Sequence, residues 1–310
     1  MRILFMGTPD FALFSLRALV EAGEDVIGVV TQPDKPKGRG YALTPPPVKV
    51  YAEEKGLPVY QPATLRGDEF AATLATLDPD LIVVVAFGKI LPQNVLDYPK
   101  FGCINVHGSL LPEYRGAAPM QRAIIDGKKE TGITTMVMAD GIDTGDMLLK
   151  RKICIETNDN FETVHDKLGV CGAETLLDTL KELRAGTLTR TKQDDSLATY
   201  AAKIEKTDCV IDFDRPASAV HDQIRGLSPI PLSFTHTPDG KMLKVIASEL
   251  VSIEHSAPVG TVLSLDGGKI LVACRDGAVA LLTVLPEGKK RMAASDFING
   301  RKIQVGDLLK

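Results

Sequence analysis

Asn105 and His107 stand two residues apart in the run Gly102-Cys103-Ile104-Asn105-Val106-His107-Gly108-Ser109-Leu110-Leu111-Pro112. The run is apolar and β-rich at first and then turns to Gly, Ser and Pro, the pattern of a buried strand that opens into a loop. On an extended chain this spacing sets both side chains on one face, roughly 6.6 Å apart. An imidazole there can take or relay a proton near neutral pH. A neighbouring amide can donate to an oxyanion as it forms. A carboxylate that can complete the group is Asp143, in the turn Asp140-Gly141-Ile142-Asp143-Thr144-Gly145-Asp146. The three residue types together suit proton transfer coupled to oxyanion stabilisation, although Asn, His and Asp at loop mouths also serve as turn and capping residues.

The elements that must position this triplet follow an α/β pattern. Residues 1–6 form an apolar strand, residues 11–22 carry Phe11, Phe14, Leu16, Leu19 and Val20 at helical spacing, and residues 25–31 form a second strand. Strand, helix, strand over this length implies a parallel sheet with a right-handed crossover. The run Leu81-Ile82-Val83-Val84-Val85-Ala86 is continuously apolar, as in a sheet covered on both faces. Residues 132–139 and 147–155 read as two more strands, and residues 161–183 as a long helix. A parallel sheet of this kind holds its ligand at the carboxyl ends of its strands, where Asn105 and His107 fall. Gly7-Thr8-Pro9 lacks the G-x-G-x-x-G pattern, which argues against a nicotinamide enzyme. Met6, Phe11 and Phe14 can line an apolar pocket near that loop or serve as core.

Residues 32–47 are dense in Pro and Gly and read as a long exposed loop whose cations are Lys35, Lys37 and Arg39. Residues 187–207 are polar and without apolar period, so they read as a linker. Beyond Cys209, short β-rich runs alternate with turns, with a helix at 216–224, as in a small antiparallel barrel. The chain therefore divides into a catalytic domain over 1–188, a linker over 189–207 and a β-barrel domain over 208–310.

Of 310 residues, 25% are charged and the net charge is −4, so binding to a polyanion must use local patches. The five cysteines show no CxxC spacing, so they read as buried thiols of a reducing cytosol, with no disulfide framework and no metal site. No apolar run approaches the ~20 residues needed to span a bilayer.

Asn105-Val106-His107-Gly108-Ser109-Leu110-Leu111-Pro112 resembles the N-x-H-x-SLLP signature of the 10-formyltetrahydrofolate-dependent formyltransferases, and Asp143-Thr144-Gly145 matches the third catalytic position of that family. Residues 5–12, 32–40 and 114–119 are similar to the branch that formylates methionine carried on initiator tRNA, and the likeness runs the whole length. It departs at Ala202, where the family carries Pro, and in the absence of Trp near Phe213 and Ile230.

The resemblance implies a parallel-sheet Rossmann-like domain followed by an OB-like barrel. It implies 10-formyltetrahydrofolate as formyl donor, without metal or nucleotide, and attack by the α-amino group of methionyl-tRNA. Asn105 and His107 would stabilise the tetrahedral intermediate, with His107 and Asp143 moving the amine proton. Ser109, Leu110, Leu111 and Pro112 would shape the folate slot, with Gly88, Ile90 and Leu91 on its other wall. Lys35, Lys37 and Arg39 would enter the acceptor stem, and Lys289, Lys290 and Arg291 would track phosphates. The protein would act in the cytoplasm as a monomer. The alternative is a formyltransferase for a small amine such as an amino-sugar nucleotide, which has no need of the basic loop.

Overall fold

The computed structural model describes residues 1–37 and 42–310, with the side chains of Lys37 and Ala42 left aside. The chain divides into two compact units. One comprises Met1–Gly116, Gly132–Ile153 and His165–Tyr200; the other comprises Ala117–Thr131, Cys154–Val164 and Ala201–Lys310.

The first unit is built on a seven-stranded sheet. Its strands are β1 (Ile3–Gly7), β2 (Val26–Val30), β5 (Val59–Tyr60), β6 (Leu81–Val85), β7 (Cys103–His107), β9 (Glu130–Val137) and β10 (Met147–Cys154), in the order β10-β9-β7-β6-β1-β2-β5. Between them run α1 (Asp10–Glu21), α2 (Pro47–Glu54), α3 (Asp68–Leu77), the short α4 (Gln93–Leu96) and the long α6 (Phe161–Ala185). β1 and β6 are buried at every position, which is why both are apolar without alternation. α1 turns Phe11, Ala12, Leu16 and Leu19 inward, the stripe that its 3.6-residue period produces.

The sheet is parallel from β5 to β7, with Ile3 opposite Leu81 and Val84 opposite Asn105. β9 then runs antiparallel to β7, with Asn105 opposite Met136 and His107 opposite Thr134. The parallel sheet expected from the sequence is thus present and is continued by the antiparallel β9, whose direction the sequence does not announce because an apolar run reads the same either way. In the Pro-rich stretch, read from the sequence as loop, the described residues include two short strands. β3 (Lys35–Lys37) and β4 (Ala42–Thr44) form a small antiparallel hairpin, with Pro36 paired to Leu43. A two-stranded ribbon tolerates proline because only one edge of each strand must donate.

The second unit is organised by an antiparallel sheet of β12 (Ser233–His236), β13 (Met242–Val251), β16 (Gly277–Pro286), β15 (Ile270–Cys274) and β14 (Val262–Ser264), in that order, with β17 (Met292–Ala293) paired to β16. α7 (Ala217–Gly226) lays Ala217, Val220 and Ile224 against Leu243, Val245, Val272 and Leu281. Its first turn is held from outside the helix, where Asp276 Oδ1 accepts the Ala217 N–H at 2.8 Å. α5 (Pro119–Ile125) packs on α7 through Gly226, where an added Cβ would lie 2.8 Å from Ile125 Cγ1. β8 (Arg115–Gly116), β11 (Tyr200–Ala201) and α8 (Ala294–Asn299) complete the elements used below.

Candidate active site

His107 ends β7, and the alternation of that strand turns Asn105 to the same side. The imidazole is buried. Its Nε2 lies 3.0 Å from the Tyr114 carbonyl oxygen. A carbonyl only accepts, so Nε2 carries the hydrogen of that bond. Nδ1 is then the nitrogen left to exchange a proton, and it faces Asp143 Oδ2 at 3.6 Å. The Asn105 side chain is half-buried and has no hydrogen-bond partner among the described residues, so its amide is available to a ligand.

Asp143 reaches this position by an indirect route. Because β9 is antiparallel with Val137 opposite Ile104, the turn after β9 leaves beside Ile104 rather than beside His107. The turn folds back to bring its carboxylate forward. Asp143 itself is left-handed, with φ +54°, a conformation that Asp tolerates better than most residues. Its Oδ2 accepts the Gly116 N–H at 2.8 Å. Gly145 is the close-approach point of the turn, since a Cβ there would sit 1.7 Å from the Val137 carbonyl oxygen.

The loop after β7 is fastened by its own polar groups. Ser109 Oγ donates to Glu113 O at 2.6 Å. Thr134 Oγ1, opposite His107 on β9, donates to Ser109 O at 2.8 Å and accepts from Leu111 N at 3.0 Å. Lys150 Nζ donates to the Leu111 carbonyl, and burial lowers the pKa of that ammonium. Leu110 is half-buried and Pro112 lies within the turn over residues 111–114, while Leu111 is fully buried against Met136 and Met147.

On the facing loop the residues separate. Gly88 has φ +79°, and a Cβ there would lie 2.6 Å from Gln32 Nε2, the amide that donates to Phe87 O. Ile90 is 81% exposed, whereas Leu91 is buried with Phe87 and Met6. The expected wall therefore has Gly88 and Ile90 at its surface and Leu91 in the core beneath. Met6 is likewise a core residue at 0% exposure, so of the two roles open to it, pocket or core, the structure gives it the core. An apolar strand run does not reveal which of its side chains meet solvent. Phe11 and Phe14 do come together, around the His165 ring of α6, at centroid distances of 5.5 and 6.1 Å.

Of the basic candidates, Lys35 lies exposed on β3 and donates to Gln32 Oε1 at 2.7 Å. Lys37 follows on the same strand, and Arg39 lies outside the described residues. In the second unit Lys289, Lys290 and Arg291 are exposed in the turn between β16 and β17. Beside that turn is a cavity of about 470 Å³ lined by Met242, Pro286, Met292 and Phe297 together with Lys241 and Lys289. Two residues of the first unit that the sequence did not single out, Arg115 and Gln193, are buried next to Asp143. Only the Arg-Gly motif at 115–116 hinted at the first, and the polar linker gave no sign of the second.

Among the described residues no group of three or more His, Cys, Asp or Glu side chains is placed to hold a metal ion. No helix among them is long and apolar enough to cross a membrane.

Residues 1–180 match the formyl transferase family and residues 203–302 match the formyl transferase C-terminal domain. A methionyl-tRNA formyltransferase from Geobacter metallireducens is 50% identical over 98% of this chain and 97% of its own. The Bacillus subtilis protein of the same name is 48% identical over 99% and 97%. The chain belongs to the methionyl-tRNA formyltransferase family. Solved structures extend the family's fold more distantly. An N-formyltransferase from Helicobacter canadensis, in complex with folinic acid and dTDP-3-aminofucose, superposes with TM-score 0.69 at 19% identity, covering 90% of this chain and 98% of that one. HypX from Aquifex aeolicus in complex with tetrahydrofolic acid gives TM-score 0.64 at 18% identity over 96% of this chain, which spans about half of that protein (47%). At such identities the likeness is one of fold.

Proposed function

We propose that this chain transfers the formyl group of 10-formyltetrahydrofolate to the α-amino group of methionine esterified to initiator tRNA. The observation that carries the chemistry is the placement of His107 Nδ1 opposite the Asp143 carboxylate, on the strand face that also carries Asn105, whose amide has no hydrogen-bond partner among the described residues. The acceptor follows from relatives that share about half their residues with this chain over nearly its full length and carry that activity in their names.

An α-ammonium has no lone pair and cannot attack. His107 Nδ1 takes its proton, and the neighbouring carboxylate stabilises the imidazolium so formed. The amine nitrogen then bonds to the formyl carbon, and the carbonyl electron pair moves to oxygen. Asn105 donates its amide hydrogen to that oxyanion, a contact worth about 3–4 kcal/mol of barrier in comparable sites. The intermediate collapses as the bond from carbon to N10 breaks. The departing nitrogen keeps the electron pair and receives a proton from the imidazolium, and the imidazole so freed takes the surplus proton of the attacking nitrogen and passes it to solvent, leaving tetrahydrofolate and N-formylmethionyl-tRNA.

The loop over residues 109–112 shapes one wall of the folate slot, presenting Leu110 and Pro112 over the buried Ser109 and Leu111, with Gly88 and Ile90 opposite. A flat pterin ring suits apolar walls lined with backbone polar groups. Lys35, Lys37 and Arg39 approach the acceptor stem, and Lys289, Lys290 and Arg291 track phosphates. The protein works in the cytoplasm as a monomer.

The test is to mix the protein with 10-formyltetrahydrofolate and charged initiator tRNA and to analyse the amino acid after ester hydrolysis. Formylmethionine is expected. Its absence, or equal turnover of a free amino-sugar nucleotide, overturns the proposal.

A further inference from the structure

We infer that Gln193, in the polar segment that follows α6, is the positioning residue for the Asp143 carboxylate. This inference rests on the proposed function.

Gln193 is the one buried side chain of residues 187–200. Its Nε2 donates to two carbonyl oxygens of the same turn, Asp143 O at 2.8 Å and Gly145 O at 2.7 Å. Its Oε1 accepts from Arg115 Nε at 3.0 Å. Three of the four hydrogen bonds that the amide can make are therefore spent on the catalytic turn and its neighbour. Arg115 is itself buried and is anchored by Asp195 at 2.7 Å. The segment is tied to the sheet just before Gln193, where Thr191 and Met147 exchange both backbone hydrogen bonds at 2.8 Å.

The need for such a clamp follows from the strand directions. The Asp143 turn departs beside Ile104, so its far end near His107 lies outside the β7–β9 ladder. Its apex carries a left-handed Asp. At that apex the carboxylate accepts the Gly116 N–H, and the carbonyls of Asp143 and Gly145 are held by Gln193. The same polar segment also serves the other side of the imidazole. Thr199 Oγ1 accepts the Tyr114 N–H at 2.8 Å, and Thr199 O accepts the Arg115 N–H at 2.9 Å. Tyr114 is the residue whose carbonyl fixes His107 Nε2. Both groups that flank the imidazole thus take their positions from residues 191–199. Gln193 touches no reacting atom and acts through Asp143 alone.

Gln193→Glu keeps the shape and the partnership with Arg115, but sets an oxygen against the two carbonyls. Gln193→Leu removes all three bonds. Formyl transfer should lose kcat by on the order of 10- to 100-fold in Gln193→Glu, the scale of a misplacement of about 1 Å. KM for both substrates should stay within about twofold. In an Asp143→Ala background the Gln193→Glu change should cost less than about twofold more, because there is no carboxylate left to place. If Gln193→Leu fails to fold, Gln193→Glu alone decides. A Gln193→Glu protein with wild-type kcat overturns the inference, and so do effects that multiply fully in the double variant, since those mark a general structural role. Wild-type protein that transfers no formyl group overturns the proposed function and this inference with it, whereas active wild type matched by Gln193→Glu overturns the inference alone.

Discussion

The carbonyl of Tyr114 lies 3.0 Å from Nε2 of His107 and fixes which ring nitrogen is free. The free nitrogen is the one that looks toward Asp143. Replacing His107 by Ala should therefore lower kcat by about 100- to 10,000-fold, the range for removal of a general base. Asp143→Asn keeps an oxygen for the Gly116 N–H but lacks the charge, so it should lower kcat with little effect on melting temperature. Single-turnover formylation of charged tRNA measures both, and near-normal rates in either variant would count against the assigned roles.

Gly145→Ala should disturb the same site from its backbone. The new methyl would meet the Val137 carbonyl at 1.7 Å, so the turn or the strand end must move. Such crowding typically costs about 1–3 kcal/mol. The expected result is a lower melting temperature together with a loss of kcat, because the displaced turn carries Asp143. A variant that melts early yet turns over normally would show that the turn tolerates the shift.

Lys150→Met takes the donor away from the Leu111 carbonyl while keeping the length of the side chain. The loop over residues 109–112 should then hold the folate less well. The KM for the formyl donor should rise about 5-fold, the equivalent of one hydrogen bond at about 1 kcal/mol, with the KM for tRNA unchanged. Steady-state kinetics in each substrate separates the two.

The basic hairpin and the turn at Lys289 should reveal themselves through salt. Replacing Lys35, Lys37 and Arg39 together by Ala should raise KM for charged tRNA and leave the KM for the folate unaffected. The slope of log affinity against log salt should become shallower by about 0.7 to 0.9 for each phosphate that is no longer neutralised. An unchanged slope would detach these residues from the tRNA. The same titration with Lys289, Lys290 and Arg291 replaced tests the second patch.

Burial pushes the thiols of Cys103 and Cys274 up to about 12. In the unfolded chain a thiol ionises near 9, so the native state holds the protons longer. These thiols favour the native state fully below about pH 9, and their contribution fades as pH rises toward 12. Melting temperatures recorded from pH 7 to 11 should fall across the upper part of that range, and Cys103→Ala should flatten the fall. Iodoacetamide at pH 8 should label the exposed Cys154 in preference to the four buried thiols, as mass spectrometry would report.

The sequence made much of this arrangement legible through period and punctuation. The first βαβ unit, the buried β6 and the strand bearing Asn105 and His107 all appear where apolar spacing sets them. The direction of β9 did not appear, since a strand pattern carries no arrow. The hairpin at Lys35 was hidden because three-residue strands containing proline read as loop. α5 was missed because it opens on Pro119 with no side-chain cap. Met6 and Leu91 could not be assigned to pocket or core, because being apolar is common to both. Gln193 was least legible of all. A buried amide in a polar stretch differs in no sequence property from its exposed neighbours, and only the carbonyls that it meets distinguish it.

The units of this chain are interleaved along it. Residues Ala117–Thr131 and Cys154–Val164 belong with the C-terminal segment although they are encoded within the N-terminal one. A fragment begun near residue 201 would strip α7 of the helix that covers Gly226 and leave Arg225 without the Asp159 carbonyl that its guanidinium holds at 2.9 Å. Neither half is therefore a cassette. Chimaeras between relatives that exchange only the C-terminal piece should assemble poorly unless the two inserts travel with it.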